Sequence, residues 1–202
     1  MIIIFFKGFV TGASLIIAIG AQNAFVLSQG IKRHHYIMIP LVCTLCDAAL
    51  IFLGITGAGA LIASNHTIRF AAGAGGAIFL AGYGFMSFRS AFRKESLNPD
   101  SRTGSLSLRA AVLATLAVTL LNPHVYIDTI LVLGSIAGQF QPPGHYYFGA
   151  GAIFASFAWF FSLGMAGKFL APVFARQVSW RILNTCIGTV MWAIAISLIK
   201  NI

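Results

Sequence analysis

Two aspartates lie inside long apolar stretches of the sequence. Asp47 is deep in one stretch, and Asp128 lies in another, five residues after Pro123. An ionised carboxylate at membrane depth costs at least about 2.5 kcal/mol on insertion scales, so it normally faces a wet cavity or a cationic partner. No Lys or Arg occupies a comparable depth in any apolar stretch. The missing cation is therefore predicted to be a ligand's ammonium or guanidinium group, or a proton. The alternative is that both acids are protonated and hydrogen-bonded within the protein.

Polar residues interrupt two other points of the apolar sequence, at Gln22-Asn23 and at Asn122-Pro123. A break in a membrane helix leaves backbone amides and carbonyls without water, so it is tolerated where it lines a cavity or is buried against protein. Half-helix N-termini at such breaks offer a positive dipole end to a carboxylate, and freed carbonyls can hold cations. Both breaks are predicted to line a binding site, although a helix-helix hydrogen bond and a simple kink are the plainer alternatives.

His124 lies four residues before Asp128, on the same face of a helix, where the two side chains could pass a proton or hold a water. Capping of the kink at Pro123 would explain this histidine equally well. Trp159 and Trp192 are expected to be packing or lipid-facing aromatics rather than cavity walls. No metal site is expected at His34-His35, because adjacent histidines diverge on a helix and no further ligand is evident.

The composition identifies the elements that must position these residues. Of the 202 residues 58% are hydrophobic and only 8% are charged, so the chain cannot present the polar exterior of a water-soluble domain. A spanning helix takes about 20 apolar residues, and six apolar runs are found, near 3–28, 37–63, 69–88, 110–134, 146–170 and 182–199. The sequence predicts an all-α polytopic membrane bundle of about six transmembrane helices in one domain, residues 1–202. The first run has no basic region before it and no evident cleavage site, so it is expected to be a retained helix.

Turn-forming or polar residues separate the runs at 28–35, 64–67, 89–109, 139–144 and 176–181. The net charge of +9 would suggest nucleic acid binding in a soluble chain, but the cations concentrate in the first, third and fifth connections. The positive-inside rule places those connections in the cytoplasm and both termini outside, with a bacterial inner membrane as the expected location. No nucleic acid partner is expected, and the bilayer is the partner that the composition implies.

The 89–109 linker divides the chain into halves, 1–88 and 110–202, with three predicted helices each. An odd number of helices per half means that any repeat must be inverted in the membrane. The polar breaks Gln22-Asn23 and Asn122-Pro123 fall in the first helix of each half, which supports such a repeat. A homo-oligomer is possible on this evidence.

The segments Gly20–Ile31 and Leu121–Thr129, together with Asp47, resemble the lysine exporter (LysE) superfamily, and its lysine/arginine exporter branch in particular. Related exporters of homoserine and neutral amino acids tend to have a Pro-Gly-Pro-type break where this chain has Gly20–Asn23. The resemblance implies export of arginine, lysine and analogues such as canavanine by a protein that is not an enzyme. The substrate and proton-binding residues expected are Asp47, Asp128, Gln22, Asn23, Asn122, Pro123 and His124.

Coupling to the proton gradient is expected, by antiport, because the sequence contains no P-loop or other nucleotide motif. No cofactor and no metal are expected. Export of neutral amino acids such as homoserine is the first alternative. A membrane thiol oxidoreductase built on Cys43-Thr44-Leu45-Cys46 is the second, and it is disfavoured because no nearby cation would lower a thiol pKa.

Overall fold

The computed structural model describes residues 1–17, 20–57, 66–92, 106–174 and 177–200, and within these ranges the regular structure is entirely helical. The elements in chain order are α1 (Ile2–Ile16), α2 (Ala21–Ile31), α3 (Met38–Ile55), α4 (His66–Phe92), α5 (Leu108–Leu120), α6 (Pro123–Tyr126), a π-helical turn (Ile127–Val132), α7 (Leu133–Ala137), α8 (Gly144–Phe174) and α9 (Gln177–Lys200). The predicted all-α architecture is confirmed.

Several of the helices have the length and composition that a membrane requires. Three of them, α3, α8 and α9, are long and apolar enough to cross a bilayer. Two bent pairs, α1 with α2 and α5 with α6–α7, raise the number to five if each pair is one span, and each pair bends by more than 40° at its break. Helix α4 has 27 residues, which at 1.5 Å per residue gives about 40 Å, so its length suffices for the sixth predicted span. Its crossing of the membrane stays a prediction.

Several predicted boundaries were wrong by part of a turn or more. Helix α2 continues through the start of the connection predicted at 28–35, α4 already includes residues 66 and 67, and α9 begins at Gln177. In each case polar residues of the predicted connection form the first or last turn of the helix. The central part of the 89–109 linker lies outside the described residues.

Helix α8 is the centre of the bundle, and α1, α2 and α3 all pack against it. Small residues permit the closest approach, because Gly8 faces the backbone of Phe148 and Gly12 faces Ala152, so a larger side chain at either glycine would collide with α8. Helix α4 packs extensively on α9. The second helices of the two halves, α3 and α8, therefore pair with each other, as do the third helices, α4 and α9. An inverted repeat generates this pattern, and the repeat itself stays a prediction.

The first, third and fifth connections meet at one end of the bundle, as the charge pattern predicts. Three contacts join them: His35 Nε2 to the Leu106 carbonyl at 3.0 Å, Lys168 Nζ to the Tyr36 hydroxyl at 3.0 Å, and Arg181 Nε to the Ala91 carbonyl at 3.2 Å. At the opposite end Lys7 lies over the ring of Phe140, 5.8 Å from its centroid, so α1 begins on the side of the fourth connection. The end that carries the first, third and fifth connections is called the basic end below.

Candidate functional site

The first broken helix places two amide side chains at the start of its second half. Gly20 is the N-cap of α2, in extended conformation, and no side chain caps this N-terminus. Asn23 joins the two helices across the break, because its Nδ2 donates to the carbonyl of Ile16 at the end of α1, at 2.9 Å. Gln22 is 9% exposed, and its Nε2 has no hydrogen-bond partner among the described residues. A buried amide donor and an uncapped helix N-terminus thus occur together, and both attract an anion.

The second broken helix is built on the same plan with different residues. Helix α5 ends at Leu120, Asn122 is the N-cap of α6, and its side chain accepts from the backbone N–H of His124 at 3.2 Å. Pro123 occupies the first helical position, where its missing N–H costs nothing. The hydroxyl of Tyr126 donates to the Leu120 carbonyl at 2.7 Å. Asn23 makes the corresponding contact at the first break, where it donates to the Ile16 carbonyl. The continuation is a π-helical turn that contains Asp128, and such turns are frequent at functional sites.

Both breaks open onto one cavity of about 240 Å³. Six of the seven predicted site residues line it, and Pro123 does not. The complete lining comprises Leu15, Ile16, Gly20, Gln22, Asn23, Asp47, Asn122, His124, Val125, Asp128, Thr129, Leu133 and Ile194. The volume is slightly below the usual range for drug-sized ligands and suits a molecule no larger than an amino acid. The polar residues approach the cavity from two broken helices and from α3.

Asp47 is the most deeply buried acid of the cavity, with 3% of its surface exposed. Ser156 of α8 donates from Oγ to Asp47 Oδ2 at 2.8 Å. Across the described part of the chain this is the one hydrogen bond to the carboxylate, and no Lys, Arg or His forms an ion pair with it. Asp128 is only half-buried, and His124 near it is exposed. The cavity therefore holds one deeply buried and one accessible carboxylate.

Two residues that contact the site were missed in the sequence. Ser156 was not singled out, and Trp159 was expected to be a packing or lipid-facing aromatic. Trp159 does pack against the hydrophobic core, and in addition it donates from Nε1 to Asn23 Oδ1 at 3.1 Å. Trp192 does fit that expectation, being 43% exposed at the bundle surface. A serine and a tryptophan within an apolar helix carry no signal of their own, because their importance depends on which residues the fold places opposite them.

Thiols and histidines also occur outside the cavity. Cys43 and Cys46 are free, and Cys43 is fully buried, so a substrate disulfide cannot reach it. No cluster of three or more potential metal ligands exists within the described ranges. His35 Nε2 contacts the backbone carbonyl of Leu106 at 3.0 Å.

A polar cavity enclosed by two broken helices in an apolar helical bundle is the architecture of a secondary transporter. Comparison with known proteins gives the family. The model of the LysE type translocator family matches residues 13–201, and the chain belongs to this family.

Relatives with curated names match over nearly their whole length. The arginine exporter protein ArgO of Serratia proteamaculans is 41% identical over 198 residues, which cover 98% of this chain and 97% of the relative. The proteins of the same name from Yersinia enterocolitica and Salmonella typhimurium are 40% and 42% identical, and their matches cover 100% of this chain and 98% and 95% of the relatives. No solved structure matches the chain.

Proposed function

We propose that this protein exports basic amino acids, arginine above all, through the cavity between the two broken helices. The main support is Asp47, a buried carboxylate that faces the cavity and forms no ion pair with a cation of the described residues. A buried charge needs a partner, and a cationic substrate supplies one. The names of the relatives agree with this substrate class.

The two ends of an amino acid have separate partners in the cavity. The α-carboxylate would lie at the uncapped N-terminus of α2, where the unpartnered Nε2 of Gln22 can donate to it. The cationic groups would lie against Asp47 and Asp128 on the other lining elements. Each charged group of the ligand then meets an opposite charge or a dipole end.

Proton coupling follows from the charge of the substrate. Moving one positive charge out of an interior-negative cell costs about 2.3 kcal/mol per 100 mV. One entering proton per exported arginine would cancel that charge movement. In this scheme Asp47 and Asp128 hold the substrate cation in one half of the cycle and protons in the other half, while the three-helix halves rock about the cavity.

The basic end would face the cytoplasm of a bacterial cell, with both termini outside. Its support is the concentration of Lys and Arg at that end. A cysteine that replaces Arg109 should resist an impermeant thiol reagent in intact cells and react after the cells are opened. Labelling of intact cells at this position would reverse the orientation.

Counterflow of labelled substrate in proteoliposomes tests the function directly. Liposomes loaded with unlabelled arginine should accumulate labelled arginine, with lysine as a weaker or equal competitor and homoserine without effect. Preference for homoserine would establish the neutral amino-acid alternative instead. Labelled arginine that equilibrates without counterflow would indicate a channel. Retention of transport by a Cys43→Ser, Cys46→Ser variant would exclude a thiol mechanism.

A further inference from the structure

Helix α8 presents two hydrogen-bond donors to the residues of the cavity. Ser156 and Trp159 are three positions apart and therefore share one face of the helix. Ser156 is completely buried and donates to Asp47, while Trp159 is partly buried and donates to Asn23. Because α8 runs through 31 residues and packs against α1, α2 and α3, one long helix contacts both the buried acid and the first break.

Only one of the two donors can also accept a hydrogen bond. An indole N–H only donates, so Trp159 holds the amide of Asn23 in one orientation, with Oδ1 toward the indole and Nδ2 toward Ile16. A serine hydroxyl has one donor and two acceptor lone pairs, and it rotates. Ser156 can therefore bond to the carboxyl group of Asp47 whether that group is ionised or protonated.

We propose that Ser156 is the positioning residue that allows Asp47 to exchange a substrate cation for a proton, an inference that rests on the proposed function. While Asp47 is ionised, the Ser156 hydroxyl donates to Oδ2 across the 2.8 Å that separate the two oxygens. When a proton from water binds to Oδ2, the carboxyl O–H donates to Ser156 Oγ. The serine hydrogen then turns to the carbonyl of residue 152, four positions earlier, a common acceptor for a helical serine. The serine keeps its own hydrogen throughout.

Other titratable groups surround Asp47 on two elements. Cys43 and Cys46 are on its own helix, and the second broken helix contributes His124 and Asp128 across the cavity. Tyr126 of the same broken helix lies near Cys46. The titratable residues of α8 lie near its two ends, at 145–147 and at Lys168, at least nine positions from Ser156. Ser156 is thus the group of α8 that can respond to the protonation of Asp47.

Two transport modes separate this role from simple packing. In arginine/arginine exchange, Asp47 stays paired with a substrate cation each time the protein reorients. In proton-driven net efflux the protein must return with a protonated Asp47, whose O–H is buried and needs an acceptor. Without the serine oxygen that O–H is left unpaired, and this penalty falls on the return step and not on exchange.

The test compares both modes in proteoliposomes for Ser156→Ala at matched protein abundance. Net efflux driven by an imposed proton gradient should fall at least about tenfold further than exchange, which loses only the hydrogen bond from the serine to the ionised carboxylate. Ser156→Thr keeps a hydroxyl and should restore net efflux. The matched control is Thr115→Val, since Thr115 is also buried but its hydroxyl donates to its own helix at the Ala111 carbonyl, so both modes should persist.

Trp159→Phe should give a different result from Ser156→Ala. Trp159 donates to Asn23 in the same way in both transport modes, so the rates of net efflux and exchange should fall together. An equal loss of the two modes in Ser156→Ala, no loss in either, or a failure of Ser156→Thr to restore net efflux while it still exchanges would overturn the role of Ser156. If the wild-type protein itself shows no proton-driven efflux, the proposed coupling is wrong, and this outcome is seen before any variant is examined.

Discussion

The two broken helices follow one plan and differ in what they leave available to a ligand. In both, a side chain after the break donates to the carbonyl of the last residue of the helix before the break. Asn23 donates to Ile16, and Tyr126 donates to Leu120. The first break then leaves its helix N-terminus uncapped, beside the unpartnered amide of Gln22. The second break caps itself with Asn122.

This difference teaches that a repeated backbone feature can serve unlike chemistry. An uncapped N-terminus with a buried donor suits an anion, so the first break is the place for a carboxylate. The self-capped second break offers no such group, and it carries Asp128 on the π-helical turn, which suits a cation or a proton. A zwitterionic substrate with a cationic side chain would use the two breaks for opposite charges.

The largest expected effect concerns the acids. Asp47→Asn should reduce arginine export by about 100-fold or more, because breaking a buried charge pair costs about 3–5 kcal/mol and each 1.4 kcal/mol is tenfold. Asp128→Asn should cost less, about 10- to 100-fold, because Asp128 is only half-buried and water can replace part of the interaction.

These losses are measured as counterflow rates in proteoliposomes, with protein abundance in the membrane as the control. Near-normal transport by either variant would remove that aspartate from the mechanism. Equal losses in the two would show that their difference in burial has no functional consequence.

The next effect separates the two helix N-termini. Gln22→Leu removes the unpartnered donor and should raise the KM for arginine about tenfold, since a hydrogen bond to a charged group is worth about 1.5–3 kcal/mol. Asn122→Ala removes only a cap, worth about 1 kcal/mol, and should leave the KM within a few-fold of wild type while lowering thermal stability slightly. The KM and the melting temperature of purified protein check both. The reverse assignment of effects would place the carboxylate at the second break.

The remaining effects are expected at the two side chains that join the helices across the breaks. Asn23→Leu loses contacts with both Ile16 and Trp159 and should lower transport about tenfold. Tyr126→Phe loses one hydrogen bond and should lower transport about threefold, near the 0.5–1.5 kcal/mol of a typical bond. Initial counterflow rates give both values. An effect of Tyr126→Phe larger than that of Asn23→Leu would contradict the greater role assigned to the first break.

Much of the cavity was predictable because polar residues are rare in apolar helices. Asp47, Asp128 and the amides at both breaks stand out in sequence for that reason, and the fold brings them to one cavity. The location of the first break was less accurate. Helix α2 resumes at Ala21, so Gln22 and Asn23 are helical rather than part of the break.

The hydrogen-bond partners of the site could not be predicted. Ser156 and Trp159 lie more than 100 positions away from Asp47 and Asn23 in sequence, and only the packing of α8 on α2 and α3 places them in contact. The different roles of the two breaks could not be predicted from the sequence either. Whether an amide side chain caps its own helix, as Asn122 does, or stays unpartnered, as Gln22 does, depends on local geometry that the residue type does not fix.

The division of charge between the two breaks is tested most directly by changing the ligand and the protein together. Counterflow competition compares arginine with agmatine, which lacks the carboxylate, in the wild type, in Gln22→Leu and in Asn122→Ala. The wild type and Asn122→Ala should prefer arginine by about tenfold, as expected for one lost charged hydrogen bond, and Gln22→Leu should show a preference close to one. An unchanged preference in Gln22→Leu, or its loss in Asn122→Ala alone, would contradict the assignment of the carboxylate to the first broken helix.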